Sequence, residues 1–316
     1  MYRFGIDLGG TKIEILALDA TGRECHRRRI DTPRATPDDY AATVEAIAGL
    51  VREAERTLGG AGTVGVATPG AISRAPGALG GGIKNANSTC LNGRPLAEDL
   101  RNALARTIRV ANDANCFALS EATDGAAAGA ACVFGVILGT GVGGGIVIEG
   151  KLLTGANAIA GEWGHNPLPV YATPTAPFTP GQADERPGHE CYCGRRGCIE
   201  TWLSGPGLAK HFLEDTGRAL SAEQIVAEAA HDAQCEAALQ AFEDRLARSL
   251  ATVINLLDPD VIVLGGGLSG VARWYDAVPA RWATYVFSDH VTTRLLAPKF
   301  GAASGARGAA WLWNDP

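Results

Sequence analysis

The sequence has no long apolar run and no run of lysine and arginine, and most of its cysteines are scattered. No apolar stretch reaches the ~20 residues of a membrane-spanning helix, so we expect no membrane partner. The 316 residues carry a net charge of −6, which argues against a nucleic-acid partner. The eight cysteines show no disulfide framework, and the N-terminus lacks the features of a secretory signal. These absences predict a cytoplasmic protein.

A repeated pattern predicts two related α/β halves. The chain is long enough for two apolar cores. Residues Phe4–Thr11 are echoed by Phe134–Gly141, each an apolar strand that enters a Gly-rich turn before a second strand. We expect a small lobe of residues 1–111, joined by a C-terminal helix at 302–316, and a large lobe of residues 112–301.

One short segment contains most of the metal-binding side chains. Cys191, Cys193 and Cys198 lie close together, with glycines between them that permit tight turns. Three thiolates and one imidazole are the ligand set of a closed structural zinc site. His165 and His189 are both candidates for the fourth ligand. The alternative is a set of reduced core cysteines.

Three Gly-rich turns at predicted strand ends indicate a phosphate ligand. They lie at Gly9–Lys12, Gly139–Gly145 and Gly265–Gly267. Backbone N–H groups in such turns form anion-binding concavities. On a duplicated framework they predict a nucleotide in a cleft between two lobes. Asp7 is placed to hold a Mg²⁺-bound water near the phosphates.

Asp113 follows Asn112 where a predicted strand ends and a helix begins. The simpler interpretation of Asp113 is a helix N-cap. The functional interpretation is a general base that accepts a hydroxyl proton while the oxygen attacks a phosphoryl group. Both hold together if the cap is also the catalytic carboxylate.

These motifs resemble the ROK family of sugar kinases and sugar-responsive repressors, over essentially the whole chain. The most specific part is the Cys-x-Cys-Gly-x-x-Gly-Cys-x-Glu motif at 191–200. The resemblance implies the two-lobed, actin-like and hexokinase-like α/β ATPase fold, which is ribonuclease H-like, with a cleft between the lobes that closes on sugar. It also implies ATP, Mg²⁺ and structural zinc as cofactors, and a homodimer.

The resemblance further implies roles for matching residues, with Asp113 as the catalytic base. The residues expected to bind sugar are Gly70, Asn87, Asn112, Asp113, Glu162, His165 and Glu200. The residues expected to bind the nucleotide and its Mg²⁺ are Asp7, Gly9, Gly10, Thr11, Lys12, Gly139, Thr140, Gly141, Gly266 and Gly267. The expected zinc ligands are His165, Cys191, Cys193 and Cys198.

Two segments, 85–93 and 162–169, look most like bacterial fructokinases of the manno(fructo)kinase type. The resemblance therefore implies ATP-dependent phosphorylation of D-fructose at the 6-hydroxyl, with mannose as a second substrate. N-acetylglucosamine kinase and glucokinase are the alternatives within the family, because a Gly-rich insertion at 77–82 lies near a sugar-contacting segment. A sugar-responsive transcription regulator is disfavoured, because the Asp-x-Gly-Gly-Thr motif starts at Asp7 and leaves no room for a DNA-binding domain before it.

Overall fold

The computed structural model describes residues 1–33, 39–77, 80–86, 88–171 and 185–313. Within them the chain forms two compact units. The first comprises Met1–Gly129, Gly145–Ala160 and Lys299–Pro316, and the second Ala130–Gly144 and Gly161–Pro298. Residues 112–129, 145–160 and 299–301, which the sequence places in the large lobe, therefore belong to the first unit. Residues 112–129 do so because their helix packs closely on the C-terminal helix.

The first unit is built on a five-stranded sheet. Its strands and the short hairpin between them are β1 (Tyr2–Leu8), β2 (Lys12–Leu18), β3 (Glu24–Asp31), β4 (Gly62–Thr68), β5 (Ala71–Ile72), β6 (Ile83–Lys84) and β7 (Ile108–Asn112). The order is β3-β2-β1-β4-β7, with β5 and β6 forming a separate pair. Strand β1 is antiparallel to β2 and parallel to β4, and β4 is parallel to β7. The carboxyl ends of β1, β4 and β7 therefore meet at one edge, which brings Asp7 and Asn112 to the same part of the sheet.

Helices cover this sheet with their apolar faces. They are α1 (Asp39–Leu58), α2 (Leu96–Leu104) and α3 (Asp113–Thr123). Ile47, Val51 and Ala54 of α1 recur at helical spacing and are fully buried against the strands. In the sequence, Thr36 followed by Pro37 predicts the N-cap and first position of α1, and both residues lie outside the described residues.

The second sheet has the order β10-β9-β8-β11-β12. Its strands are β8 (Cys132–Leu138), β9 (Val142–Ile148), β10 (Lys151–Leu152), β11 (Val261–Gly265) and β12 (Arg294–Leu296). Strand β11 is parallel to both of its neighbours and is buried along its whole length. The uninterrupted apolar run at 261–264 predicts such a strand, and the structure confirms it.

The remaining helices begin at or after the end of the cysteine motif at 191–200. They are α4 (Glu200–Leu203), α5 (Gly205–Thr216), α6 (Ala222–Glu228), α7 (Ala233–Leu257) and α8 (Trp274–Trp282), with α9 (Ser304–Trp311) in the first unit. The spacing of Ser221 and Gln224 predicts a capping box, which is present at the start of α6. The amphipathic pattern predicts a helix over Glu236–Leu257, and α7 begins three residues earlier because Asp232 caps it through the N–H groups of residues 234 and 235.

Among the described residues, no helix has the length and apolar character that a membrane crossing requires. All eight cysteines are free.

Candidate active site

Asn112 and Asp113 join strand β7 to helix α3. Asn112 is the N-cap, since its Oδ1 accepts hydrogen bonds from the N–H groups of Ala114 at 2.9 Å and Asn115 at 3.4 Å. Its Nδ2 donates to the carbonyl of Gly70 at 3.0 Å. Asp113 is the first helical residue, and its Oδ1 accepts from the Ala114 N–H at 2.8 Å. The interpretation of Asp113 as the N-cap is therefore wrong, because Asn112 takes that role.

Gly70 packs tightly against the segment that follows strand β6. Its φ is +76°, and a Cβ atom on it would lie 2.8 Å from the backbone nitrogen of Ala86. The side chain of Asn92 holds the same segment, accepting from the Ala86 N–H and donating to the Ala86 carbonyl, each at 2.9 Å. The structure thus brings Gly70 and Asn112 to the segment that leads into Asn87. Asn87 itself lies outside the described residues.

Asp7 and Asp113 form a pair of interacting carboxylates. Burial, with smaller contributions from the charges of Asp113 and Glu14, raises the pKa of Asp7 to about 7. Burial also raises the pKa of Asp113, opposed by hydrogen bonds to the start of α3. Gly305 makes room for Asp7, because a Cβ atom there would lie 2.9 Å from its Oδ2. Neighbouring buried carboxylates are a favourable place for a divalent cation, which offsets their mutual repulsion.

The first predicted phosphate turn joins β1 to β2. The N–H of Gly9 donates to the carbonyl of Lys12 at 3.0 Å, and Oγ1 of Thr32 donates to the Gly9 carbonyl at 2.8 Å. The side chains of Thr11 and Lys12 are exposed. A cavity of 460 Å³ is lined by Gly9 and Gly10 on one side and by residues 88–91 on the other.

The second and third predicted phosphate turns meet at one cavity in the second unit. The N–H of Gly139 donates to the carbonyl of Gly141 at 3.0 Å, much as Gly9 does in the first hairpin. Gly139, Thr140 and Gly267 line a cavity of 460 Å³. The N-terminus of α5, capped by Ser204, lies at the same cavity. The N–H of Gly205 donates to the Gly139 carbonyl at 2.9 Å and that of Gly207 to Oγ of Ser204 at 3.1 Å, so α5 contributes the positive end of its helix dipole to this cavity.

Gly266 has a backbone role at this cavity. Its φ is +80°, and a Cβ atom would overlap the backbone of Leu138. Only glycine therefore allows the turn after β11 to pass this close to the end of β8.

Three thiols and one imidazole converge in the second unit. Nδ1 of His165 lies 3.5 Å from Sγ of Cys191, and the Sγ atoms of Cys193 and Cys198 are 3.6 Å apart. All four ligand atoms lie within 4.8 Å of one another. Zn–S and Zn–N bonds of about 2.3 and 2.0 Å give a tetrahedron with edges of roughly 3.5–3.8 Å. The donor set fits one zinc ion, and its histidine is His165 rather than His189.

His165 presents its other ring nitrogen to a residue that sequence reasoning missed. Its Nε2 lies 3.1 Å from the hydroxyl oxygen of Tyr192, and the rings meet edge to face. Glu162 precedes the single 3₁₀ turn Trp163–His165. Trp163 is buried and donates from Nε1 to the Gly143 carbonyl at 3.0 Å, which anchors this turn to the hairpin of the phosphate site.

Glu200 connects the cysteine motif to the same hairpin. It begins helix α4, and its Oε2 accepts a hydrogen bond from the Val142 N–H at 2.9 Å. A Cβ atom on Gly141 would lie 2.5 Å from that oxygen. Glycine at 141 therefore leaves room for the carboxylate of Glu200 and also permits the tight turn.

The sequence model of the ROK family matches residues 3–316. The chain belongs to the ROK family. It is 39% identical over 313 residues to the N-acetyl-D-glucosamine kinase of Photobacterium profundum, a match that covers 99% of each chain. It is likewise 39% identical over 315 residues to the N-acetyl-D-glucosamine kinase of Vibrio cholerae, again covering 99% of each.

Solved structures confirm the predicted ROK-type fold. The ROK hexokinase from Thermus thermophilus is 29% identical and superposes with a TM-score of 0.81, covering 98% of this chain and 97% of the hexokinase. A ROK family glucokinase from Streptomyces griseus, crystallised with glucose and AMPPNP, is 26% identical with a TM-score of 0.76, covering 99% of both chains.

Two groups of residues at this ROK site escaped sequence reasoning. Tyr192 was missed because one aromatic residue between two cysteines carries no signal of its own. Gly205 and Ser221, which line the phosphate cavity, were missed for another reason. The caps of α5 and α6 are readable in the sequence, but nothing local shows that both helices begin beside the turn at Gly139.

Proposed function

We propose that this ROK protein is an ATP-dependent sugar kinase that phosphorylates D-fructose at the 6-hydroxyl, with mannose as a second substrate. The observation that carries the kinase activity is Asp113, a half-buried carboxylate at the start of α3 whose charge acts on Asp7. Phosphoryl transfer requires little beyond such a base, positioning and a divalent cation. The relatives named above are N-acetyl-D-glucosamine kinases, a hexokinase and a glucokinase, which supports the reaction class.

Asp113 accepts the proton of the sugar hydroxyl while the oxygen of that hydroxyl bonds to the γ-phosphorus of ATP. The bond from that phosphorus to the β,γ-bridging oxygen breaks, and ADP leaves. Because its pKa is raised, the carboxylate of Asp113 is a stronger proton acceptor than that of an ordinary aspartate. Mg²⁺, with Asp7 holding one of its waters, neutralises charge on the phosphates when bound.

The phosphates of ATP bind at the second-unit cavity beside Gly139, Thr140 and Gly267. The support is the pair of Gly-rich turns, which offer backbone N–H donors, together with the positive end of the α5 helix dipole. The AMPPNP bound to the Streptomyces griseus glucokinase is in keeping with a nucleotide ligand.

His165, Cys191, Cys193 and Cys198 hold structural zinc, which fixes the loop that carries Glu162 and His165. The support is that all four donor atoms lie within 4.8 Å of one another, two of the pairs at 3.5 and 3.6 Å. In Cys193→Ser, we expect bound zinc to fall by about one equivalent per chain and the melting temperature to fall with it. Elemental analysis and thermal denaturation measure both. Cys90→Ser, which alters an exposed cysteine outside the cluster, is the control, and equal zinc in both variants would contradict this ligand set.

Fructose is the preferred sugar because segments 85–93 and 162–169 resemble those of bacterial fructokinases. N-acetylglucosamine is the second candidate, since the N-acetyl-D-glucosamine kinase relatives are 39% identical over 99% of the chain. Both candidates share the base, the phosphate turns and the cysteine motif, so they differ only in the sugar pocket.

A coupled assay of ADP release decides between them. Mg²⁺·ATP is offered with fructose, mannose, glucose or N-acetylglucosamine, with and without a zinc chelator. We expect the highest kcat/KM for fructose and loss of activity on chelation. A higher kcat/KM for N-acetylglucosamine or glucose would support the kinase activity and contradict fructose as the preferred sugar. Absence of turnover with every sugar would reject the kinase.

A further inference from the structure

A second group of metal-binding side chains lies outside the thiol cluster. His189 precedes the cysteine motif, and its carbonyl accepts a hydrogen bond from the Gly197 N–H at 2.8 Å. His211 and Glu214 lie three residues apart on α5 and so share one face of that helix. Two independent parts of the second unit therefore supply the group.

The donor atoms converge on one point. Nε2 of His189 lies 3.3 Å from Nδ1 of His211 and 3.1 Å from Oε2 of Glu214. The distance from Nδ1 of His211 to the same oxygen is 3.9 Å. Metal–ligand bonds of about 2.0–2.1 Å in a tetrahedral site place such atoms roughly 3.3 Å apart. Two of the three distances match this value, and the third needs a small movement of Glu214, whose side chain is 47% exposed.

Hydrogen bonding alone leaves this arrangement incomplete. Whichever of the two facing ring nitrogens carries a proton, that one hydrogen can make only one of the two short contacts of His189 Nε2, either with Nδ1 of His211 or with the carboxylate of Glu214. A cation accepts electron pairs from all three atoms at once. The convergence therefore favours a metal over a proton as the shared partner.

The surroundings are rigid on one side and open on the other. His211 is only 7% exposed, and its ring stacks on Trp202 with a centroid separation of 3.8 Å. The three side chains line a cavity of 380 Å³. Three arginines line its wall, among them Arg186. Arg245 pairs with Glu185 at 2.8 Å, and Arg196 pairs with Glu190 at 2.7 Å. Their charges are thereby partly offset.

We propose that His189, His211 and Glu214 form a second metal site, which binds a first-row divalent cation such as Zn²⁺ and leaves its fourth position open to the cavity. Two imidazoles and one carboxylate, without thiolate, are a donor set that suits such ions. Because His189 lies two residues before Cys191, the ion also clamps the cysteine loop to helix α5. It does so independently of the tetrahedral site, with which it shares no ligand.

Titration of the metal-free full chain with Co²⁺ tests the site. We expect two equivalents to bind. One gives the strong near-ultraviolet absorption of cobalt–thiolate bonds, and the other adds only weak visible bands. Glu214→Gln and His189→Gln should each weaken the second equivalent by at least tenfold, as loss of a ligand does, and leave the thiolate absorption unchanged. Cys193→Ser should do the reverse.

Asp215→Asn is the matched control, because it removes the same charge from the adjacent residue of α5, which lines the same cavity. We expect it to bind both equivalents as the wild type does. Binding of one equivalent only, or a second equivalent that is as tight in Glu214→Gln and His189→Gln as in the control, would overturn the proposal. Circular dichroism of each variant confirms that the comparison is made between folded proteins.

Discussion

At the residue scale, two carboxylates define the chemistry that the first unit offers. The N-cap task falls to Asn112, whose amide also binds Gly70. Asp113 is then positioned by the start of α3, and burial raises the pKa of its carboxyl. Asp7 lies at the same sheet edge, where each carboxylate makes ionisation of the other more costly.

Replacing the proposed base tests the assignment of Asp113. In Asp113→Asn we expect kcat to fall by about 10²–10⁴, the range that a positioned base contributes, because the amide cannot accept the hydroxyl proton. Sugar affinity should change only a few-fold. Steady-state kinetics and calorimetric titration with sugar measure the two quantities.

Asp289→Asn is the control for this experiment, since Asp289 is exposed and far in sequence from the site residues. It should keep wild-type kinetics. A turnover in Asp113→Asn within about tenfold of wild type would rule out Asp113 as the base.

The pKa of Asp7 predicts how stability varies with pH. The folded state raises this pKa from 3.8 to about 7, so it holds the proton more tightly than the unfolded chain does. The contribution to the free energy of unfolding is complete below pH 3.8 and is lost as pH rises through about 7. Asp7→Asn does not titrate, and it should gain stability relative to wild type between pH 5 and pH 8.

Thermal denaturation of metal-free protein at the two pH values measures this gain. We expect on the order of 3 kcal/mol, because about two pKa units of roughly 1.4 kcal/mol each separate pH 5 from the folded-state pKa of about 7, and this is roughly 5 °C in Tm for a chain of this size. Asp289→Asn again serves as the control. Parallel Tm profiles for Asp7→Asn and wild type would show that Asp7 is ionised in the folded protein throughout this range.

At the element scale, the C-terminal helix α9 holds the active-site edge of the first unit together. It packs on α3, β1 and β4. The contacts are made through glycines: a Cβ on Gly308 would overlap the Cys116 carbonyl, and a Cβ on Gly5 or Gly65 would overlap the backbone of α9. Backbones this close fix the start of α3, and with it Asp113, relative to Asp7.

Two glycine substitutions in helices separate close packing from helix propensity. Gly308→Ala should lower the free energy of unfolding by about 3 kcal/mol, because the added methyl forces α3 and α9 apart. Gly49→Ala should raise it by about 0.5–1 kcal/mol, since Gly49 lies inside α1 with no atom within 4 Å of a Cβ.

Urea unfolding of both variants measures these changes, and kcat should fall only in Gly308→Ala. Equal stability of the two variants would show that α3 and α9 have room to adjust. It would also remove the argument that their contact positions Asp113.

At the scale of the whole molecule, ligand binding should report the preferred sugar independently of turnover. A ligand that binds only the folded state stabilises it by about 2.7 kcal/mol at a hundred times its Kd. We therefore expect fructose near this concentration to raise Tm by roughly 5 °C. Differential scanning fluorimetry across the four sugars measures the shift, and the same shift should persist in Asp113→Asn. A larger shift with N-acetylglucosamine would favour the second candidate.

The expected homodimer belongs to the same scale. We predict a solution mass of twice the 32.7 kDa chain, and light scattering with in-line chromatography measures it. A mass of one chain at micromolar concentration would contradict the dimer.

Local patterns in the sequence were sufficient for much of the secondary structure. Strand β11, the capping box at Ser221 and the two Gly-rich hairpins depend on neighbouring residues, so short-range chemistry predicts them. The thiol donors of the cysteine motif can also be identified from the sequence, because Cys191, Cys193 and Cys198 need only tight turns to converge. The family could be recognised for the same reason, since its motifs are short and contiguous.

Other features depend on residues that are distant in the chain, and only the tertiary structure decided them. Residue spacing alone left both His165 and His189 open as the fourth ligand, although the family resemblance implied His165. The fold places His165 with the thiols and His189 with His211. The fold likewise makes Asn112 the N-cap of α3. The amide of Asn112 reaches the Gly70 carbonyl only because β4 and β7 lie side by side. Such choices depend on which surfaces packing brings together, and residue spacing along the chain carries no information about that.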